Sequence, residues 1–152
     1  MLKSQAEKSR EKITWLLAAL FAYLMAAAAM PALAADLVVI AHPGVPVSSL
    51  NKEDLKAIFL GDKTEWSNGK PIKIVVLEEG PAHKAFMQEV LGKTPVQFDN
   101  YWKKLVFTGK AAAPKSFSDS QQLIDFVSKQ PGAIGYVEPN QASSAVKTLK
   151  VE

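Results

Sequence analysis

"VVLEEGPAHKAF", Val75–Phe86, carries a run of β-branched residues through a glycine into a helix-type pattern. Upstream, "PIKIVVL" reads as a buried strand. Downstream, "PAHKAFMQEVLG" reads as a helix, with Pro81 suited to its first turn and Gly92 to its end. A helix start leaves backbone N–H groups without partners and carries partial positive charge, so anions settle there. Gly80 permits a close turn. The N–H groups of Ala82, His83 and Lys84 are expected to point outward, and the His83 and Lys84 side chains to add positive charge. Glu78 and Glu79 oppose an anion, and Pro81 removes one donor. A glycine and a proline also make a plain helix start with no ligand, so both readings stand on these residues alone.

Outward from this stretch, strands and helices alternate. "DLVVIAH" (36–42) reads as a strand and "PGVPVSSL" (43–50) as a loop. "NKEDLKAIFLG" (51–61) reads as a helix capped by Asn51 and stopped by Gly61. "TPVQFDNYWKKLVFTG" (94–109) reads as a helix capped by Thr94 and opened by Pro95, with Phe98, Trp102, Leu105 and Val106 at helical spacing. "AAAPKSF" (111–117) reads as a loop. Ser118 or Asp119 caps a further helix, and "PGAIGYV" (131–137) is a turn and a strand. "AVKTLKV" (145–151) is expected to be a last edge strand. The order predicts an α/β fold, a small mixed sheet flanked by helices.

The first third of the sequence has a different composition. Lys3, Lys8, Arg10 and Lys12 precede an uncharged apolar run, Ile13 to Met30, and then "PALAAD" with Ala32 and Ala34. That is the layout of a secretory signal, cleaved after Ala34, so that residues 1–34 are a leader and 35–152 the domain. Uncleaved, the run approaches the roughly 18 residues of a minimal membrane span, and membrane contact is then expected through the leader alone. Export implies a periplasmic domain.

Beyond residue 34 the sequence holds 14 lysines, 13 carboxylates and no arginine. No concentrated basic face argues for nucleic acid. Without cysteine, disulfides and thiolate metal sites are excluded. His42 and His83 show no metal-ligand spacing, and no cofactor motif is present. Ser48 and Ser49 either cap a turn or donate to a ligand. Glu78 and Glu79, adjacent on a strand end, point to opposite faces and make a poor acid–base pair. Trp102 falls on an apolar stripe and reads as core rather than as a stacking platform. No nucleophile, base and acid assemble, so an enzyme is not expected.

"SSLNKEDLKAIFLGDKTEWSNGKPIKIVV" (48–76) and "KQPGAIGYVE" (129–138) together resemble phosphate-type periplasmic solute-binding proteins. The resemblance covers about Leu37 to Glu138. It implies one lobe, the second, of a type II periplasmic-binding-protein fold, whose two-lobed members close around an oxyanion for ABC-type transport. That family's anion motif, roughly R-x-x-G-S-G-T, falls on the opening stretch. Leu77 stands in place of the arginine, Gly80 keeps the glycine, and Pro81, Ala82 and His83 replace the three residues after it. The implied ligand is phosphate or another small oxyanion, held weakly by Ser48, Ser49, Gly80, Ala82, His83 and Lys84. A half-cleft buries less of a ligand than a closed one. The alternative is an accessory protein whose former cleft face docks an envelope protein or a second copy of the chain.

Overall fold

In the computed structural model, which describes residues 37–152, the central strand is β1 (Val38–Ala41). The expected leader, with its apolar run and cleavage site, lies outside the described residues. The remaining strands are β2 (Ser49–Leu50), β3 (Lys73–Leu77), β4 (Lys115–Phe117), β5 (Ala133–Val137) and β6 (Lys147–Val151). They form one mixed sheet in the order β2-β6-β1-β5-β3-β4. β1 runs antiparallel to both its neighbours, with Val39 opposite Tyr136 on β5 and Leu149 on β6. The other three pairings are parallel.

Two expectations are corrected here. β6 is not an edge strand, because the two-residue β2 pairs along its outer side and places it inside the sheet. Only Leu149 of β6 is fully buried, so its side chains read like those of an edge. "PGVPVSSL" and "AAAPKSF", expected as loops, each end in a short strand that forms one border of the sheet. Strands of two or three residues are too short to show period-2 alternation.

The helices are α1 (Lys52–Phe59), α2 (Pro81–Ala85, continued by a π-helical turn, Phe86–Leu91), α3 (Pro95–Phe107) and α4 (Ser120–Lys129). Their starts follow local chemistry. Asn51 accepts the Asp54 N–H, and Asp119, rather than Ser118, accepts the Gln122 N–H. Thr94 and Gln97 bond reciprocally in a capping box. Gly61 follows α1 at φ +79°, a left-handed conformation that ends the helix and that other residues adopt at a cost.

Neighbouring residues on a strand face opposite ways, and β5 uses both faces. Tyr136 stacks on Phe86 of the π-helical turn, with centroids 4.0 Å apart and planes 10° from parallel. At Gly135 an added Cβ would lie 3.0 Å from Leu123 of α4. α2 and α4 therefore cover opposite faces of the sheet. On the α2 side Phe59, Phe86 and Tyr136 form an aromatic cluster. α3 joins this layer through Tyr101 and Trp102, which donate to the carbonyls of Leu60 and Phe59 at the end of α1. Trp102 is core, as its stripe predicts.

Candidate functional site

β3 ends at Leu77, and Glu78–Gly80 turn the chain into α2. Gly80 sits at φ +103°, where an L side chain is strained. No side chain caps this helix. Pro81 has no N–H, and the first intrahelical bond runs from Lys84 N to Gly80 O, 3.1 Å. The N–H groups of Ala82 and His83 therefore have no partner within the helix. The Lys84 N–H, expected to be free, is spent in that bond. The turn borders an open bowl of about 560 Å³ lined by Glu78, Glu79, Gly80, Pro81, His83, Lys84 and Pro95.

His83 is buried rather than solvated, and is 4 % exposed. Its Nδ1 lies 2.7 Å from the Tyr136 hydroxyl. Burial holds the His83 pKa below its ordinary value, against an upward pull from Asp99. Burial also pushes the Tyr136 phenol well above its usual range, opposed by a backbone hydrogen bond at Leu77. The phenol and the imidazole share one hydrogen bond, whose direction is set by the His83 tautomer. With its pKa lowered, His83 borders the bowl as a neutral ring, not as the positive charge expected from the sequence. Lys84 is exposed and supplies a cation.

Glu78 and Glu79 both line the bowl. Strand alternation does not separate them, because β3 stops one residue earlier. The Glu78 carboxylate accepts from Ser116 Oγ at 3.3 Å, and Glu79 is exposed. Two carboxylates against one ammonium make the rim net acidic.

Ser48 and Ser49 are not brought to this bowl. They lie at β2, on the far border of the sheet, where the Ser48 carbonyl accepts the Lys150 N–H. Four strand spacings, roughly 19 Å, separate β2 from β3. His42 organises its own loop, accepting the Gly44 N–H at 2.9 Å through Nδ1. Tyr136, which bonds to the His83 ring, was not singled out from sequence. It lies in the "PGAIGYV" segment, 53 positions from His83, and only the fold joins them.

A family model described as "PBP superfamily domain" matches residues 22–150. Among solved structures, similarity extends to an ABC-type phosphate transport receptor from Vibrio cholerae (16 % identity, TM-score 0.57). It extends also to a protein from Clostridium perfringens assigned as a phosphate ABC transporter substrate-binding protein and solved with bound phosphate (24 %, 0.59). A third is PstS from Borrelia burgdorferi (15 %, 0.54). Each match covers 76 % of this chain but only 45 %, 44 % and 47 % of the respective relatives. The chain thus spans less than half the length of the solved proteins it matches. At these identities the likeness establishes the fold, a mixed sheet with helices on both faces.

Proposed function

The chain belongs to the PBP superfamily, and on that premise we propose that it is a solute-binding-type domain holding a small oxyanion, phosphate in the first instance, at the Gly80 turn. The observation that carries the reading is the uncapped start of α2. It opens onto a bowl beside the neutral His83 ring and the Lys84 ammonium. Neutral N–H donors and one cation suit an oxyanion. The acidic rim and the absence of a forked guanidinium set the affinity low, with a dissociation constant on the order of 0.1–1 mM. The function is binding, not catalysis. Residues 1–34 are proposed as an export leader, which puts the domain in the periplasm, where it serves an ABC-type transporter.

Calorimetry of phosphate and sulfate on residues 35–152 tests this reading. Saturable binding of either anion, weakened several-fold in Lys84→Ala, supports it. Absence of heat with both anions at millimolar concentration overturns it. Glu78→Gln and Glu79→Gln tighten binding if the rim acts as described. A second reading draws on the same carboxylates: a net-acidic bowl repels anions and suits an accessory protein that docks an envelope partner. It predicts no oxyanion binding, and a captured partner that Glu78→Lys releases.

A further inference from the structure

We propose that the outer face of α3, centred on Phe107, is a docking surface for an anionic lipid membrane. Among the described residues four large hydrophobic side chains are exposed, and three of them lie on this helix: Val96 (66 %), Val106 (44 %) and Phe107 (93 %). The buried stripe of α3, Phe98 and Trp102, faces the core, and Phe107 lies on the opposite side with Val106 next to it; Val96 lies three turns back on the Phe107 side, beyond Asn100 and Lys103. An exposed aromatic at this level is not explained by packing.

The charge around it is predominantly positive. Lys103 and Lys104, four and three positions before Phe107, lie on either side of it on the helix surface. Lys110 follows in the next turn. From Asn100 to Ser118 the sequence holds four lysines and no carboxylate. Asp99 is the nearest acid on the helix, about 12 Å back from Phe107 along its axis, one turn before Lys103, and it lines the same cavity as Lys103, Val106 and Phe107. The described residues contain one ion pair, Lys63–Asp54, so the lysines beside Phe107 keep their charge unpaired.

The surface is also held in place. Thr108 Oγ1 donates to the carbonyls of Lys104 and Leu105, and the Gly109 and Lys110 N–H groups bond back to Val106 and Leu105. Phe107 is thereby fixed on an ordered helix end and protrudes from it. A protruding apolar group ringed by flexible cations suits a fluid bilayer with anionic headgroups. The ring enters the acyl boundary while the lysine ammoniums stay at the headgroups. An anionic surface attracts each such lysine, worth roughly fivefold in partitioning. This inference does not rest on anion binding at the Gly80 turn.

Residues 35–152 form a compact unit with its own core, and removing residues 1–34 takes away the apolar run that would itself enter lipid. The experiment is co-sedimentation of this unit with vesicles of equimolar phosphatidylglycerol and phosphatidylcholine, against vesicles of phosphatidylcholine alone. Binding is expected to the first and not the second, and to be lost as salt shortens the screening length from about 10 Å to about 3 Å. Phe107→Ser, at a side chain outside the core, is expected to lower partitioning by at least about tenfold, and Lys103→Glu with Lys110→Glu to abolish it. Unchanged circular dichroism shows that the variants fold. No binding to the anionic vesicles, equal binding to both kinds, or indifference to Phe107→Ser overturns the proposal. So does a wild-type dimer in light scattering that Phe107→Ser dissociates, which assigns the face to a second copy of the chain.

Discussion

The indole N–H of Trp66 donates to the carbonyl of Gly132 across 3.0 Å, joining positions 66 residues apart. Trp66 belongs to the "IFLGDKTEW" stretch and Gly132 to "PGAIGYV", so the two segments that carry the family resemblance are bonded to each other. Their other members meet as well, since Phe59 packs near Tyr136 with ring centroids 5.9 Å apart.

Gly132 is the less replaceable partner. It sits at φ +83°, and a Cβ built on it would lie 2.3 Å from the Pro71 carbonyl oxygen. Gly132→Ala is expected to cost at least about 3 kcal/mol, from left-handed strain and a backbone clash together. Trp66→Phe removes one of the two donors to the Gly132 carbonyl, the Lys73 N–H remaining, and is expected to cost about 0.5–1.5 kcal/mol. Urea unfolding of both variants checks the order. A Gly132→Ala domain as stable as wild type would contradict the geometry.

Tyr136→Phe keeps the ring stacked on Phe86 but removes the hydroxyl that meets His83. A buried imidazole nitrogen is left unpaired, and stability is expected to fall by about 1–3 kcal/mol. With the tautomer no longer fixed, the His83 ring-nitrogen resonances are expected to show a mixture in place of one form. A single unchanged tautomer would deny Tyr136 its orienting role.

The His83 pKa is lowered by burial, and the sign of its pH effect follows. Above its unfolded value of 6.5 the ring is neutral in both states and costs nothing. As pH falls through that value the unfolded chain takes up a proton that the folded one resists. Stability is therefore lost progressively from about pH 6.5 downwards, until the folded pKa is passed. His83→Gln removes this titration while keeping a polar side chain against Tyr136. Midpoints of unfolding measured between about pH 7.5 and pH 5 are expected to decline less in the variant than in the wild type. Parallel declines would assign the effect to other groups.

Thr94 and Gln97 bond reciprocally at the start of α3, at 3.2 and 2.9 Å. Thr94→Ala removes one half of this box and is expected to cost about 1 kcal/mol. Gln97→Ala is expected to cost less, because the Thr94 N–H it leaves is exposed to water. Hydrogen exchange of the first-turn amides of α3 would show the local fraying.

Local chemistry was legible in the sequence. Asn51, Thr94 and Asp119 cap helices because a side-chain oxygen within three residues of an N–H is a local event. The apolar stripes of α1, α3 and α4 follow the 3.6-residue period. The "PGAIGYV" segment pointed to the fold because its Gly132 and Gly135 occupy places that a Cβ would overfill. What stayed hidden depends on distant partners. β6 is interior only because Ser49 and Leu50 reach across to it. At the candidate site, the turn through Gly80, Ala82 and His83 was visible as strand, glycine and helix. That His83 is neutral follows from burial and a tyrosine 53 positions away, which no local pattern announces. Ser48 and Ser49 are close to Gly80 in chemistry and far from it across the sheet.

β1 lies at the middle of the sheet, and both of its neighbours are supplied about a hundred residues later in the chain. Among the described strands Val38–Ala41 is synthesised first, yet no described strand made before β5 pairs with it. Closure of this domain is therefore a late, long-range event, slow in proportion to the loops it must close. Until then a β-branched segment waits uncovered. Premature termination before β5 would yield a polypeptide lacking both partner strands of β1, a substrate for proteases rather than a shorter functional protein.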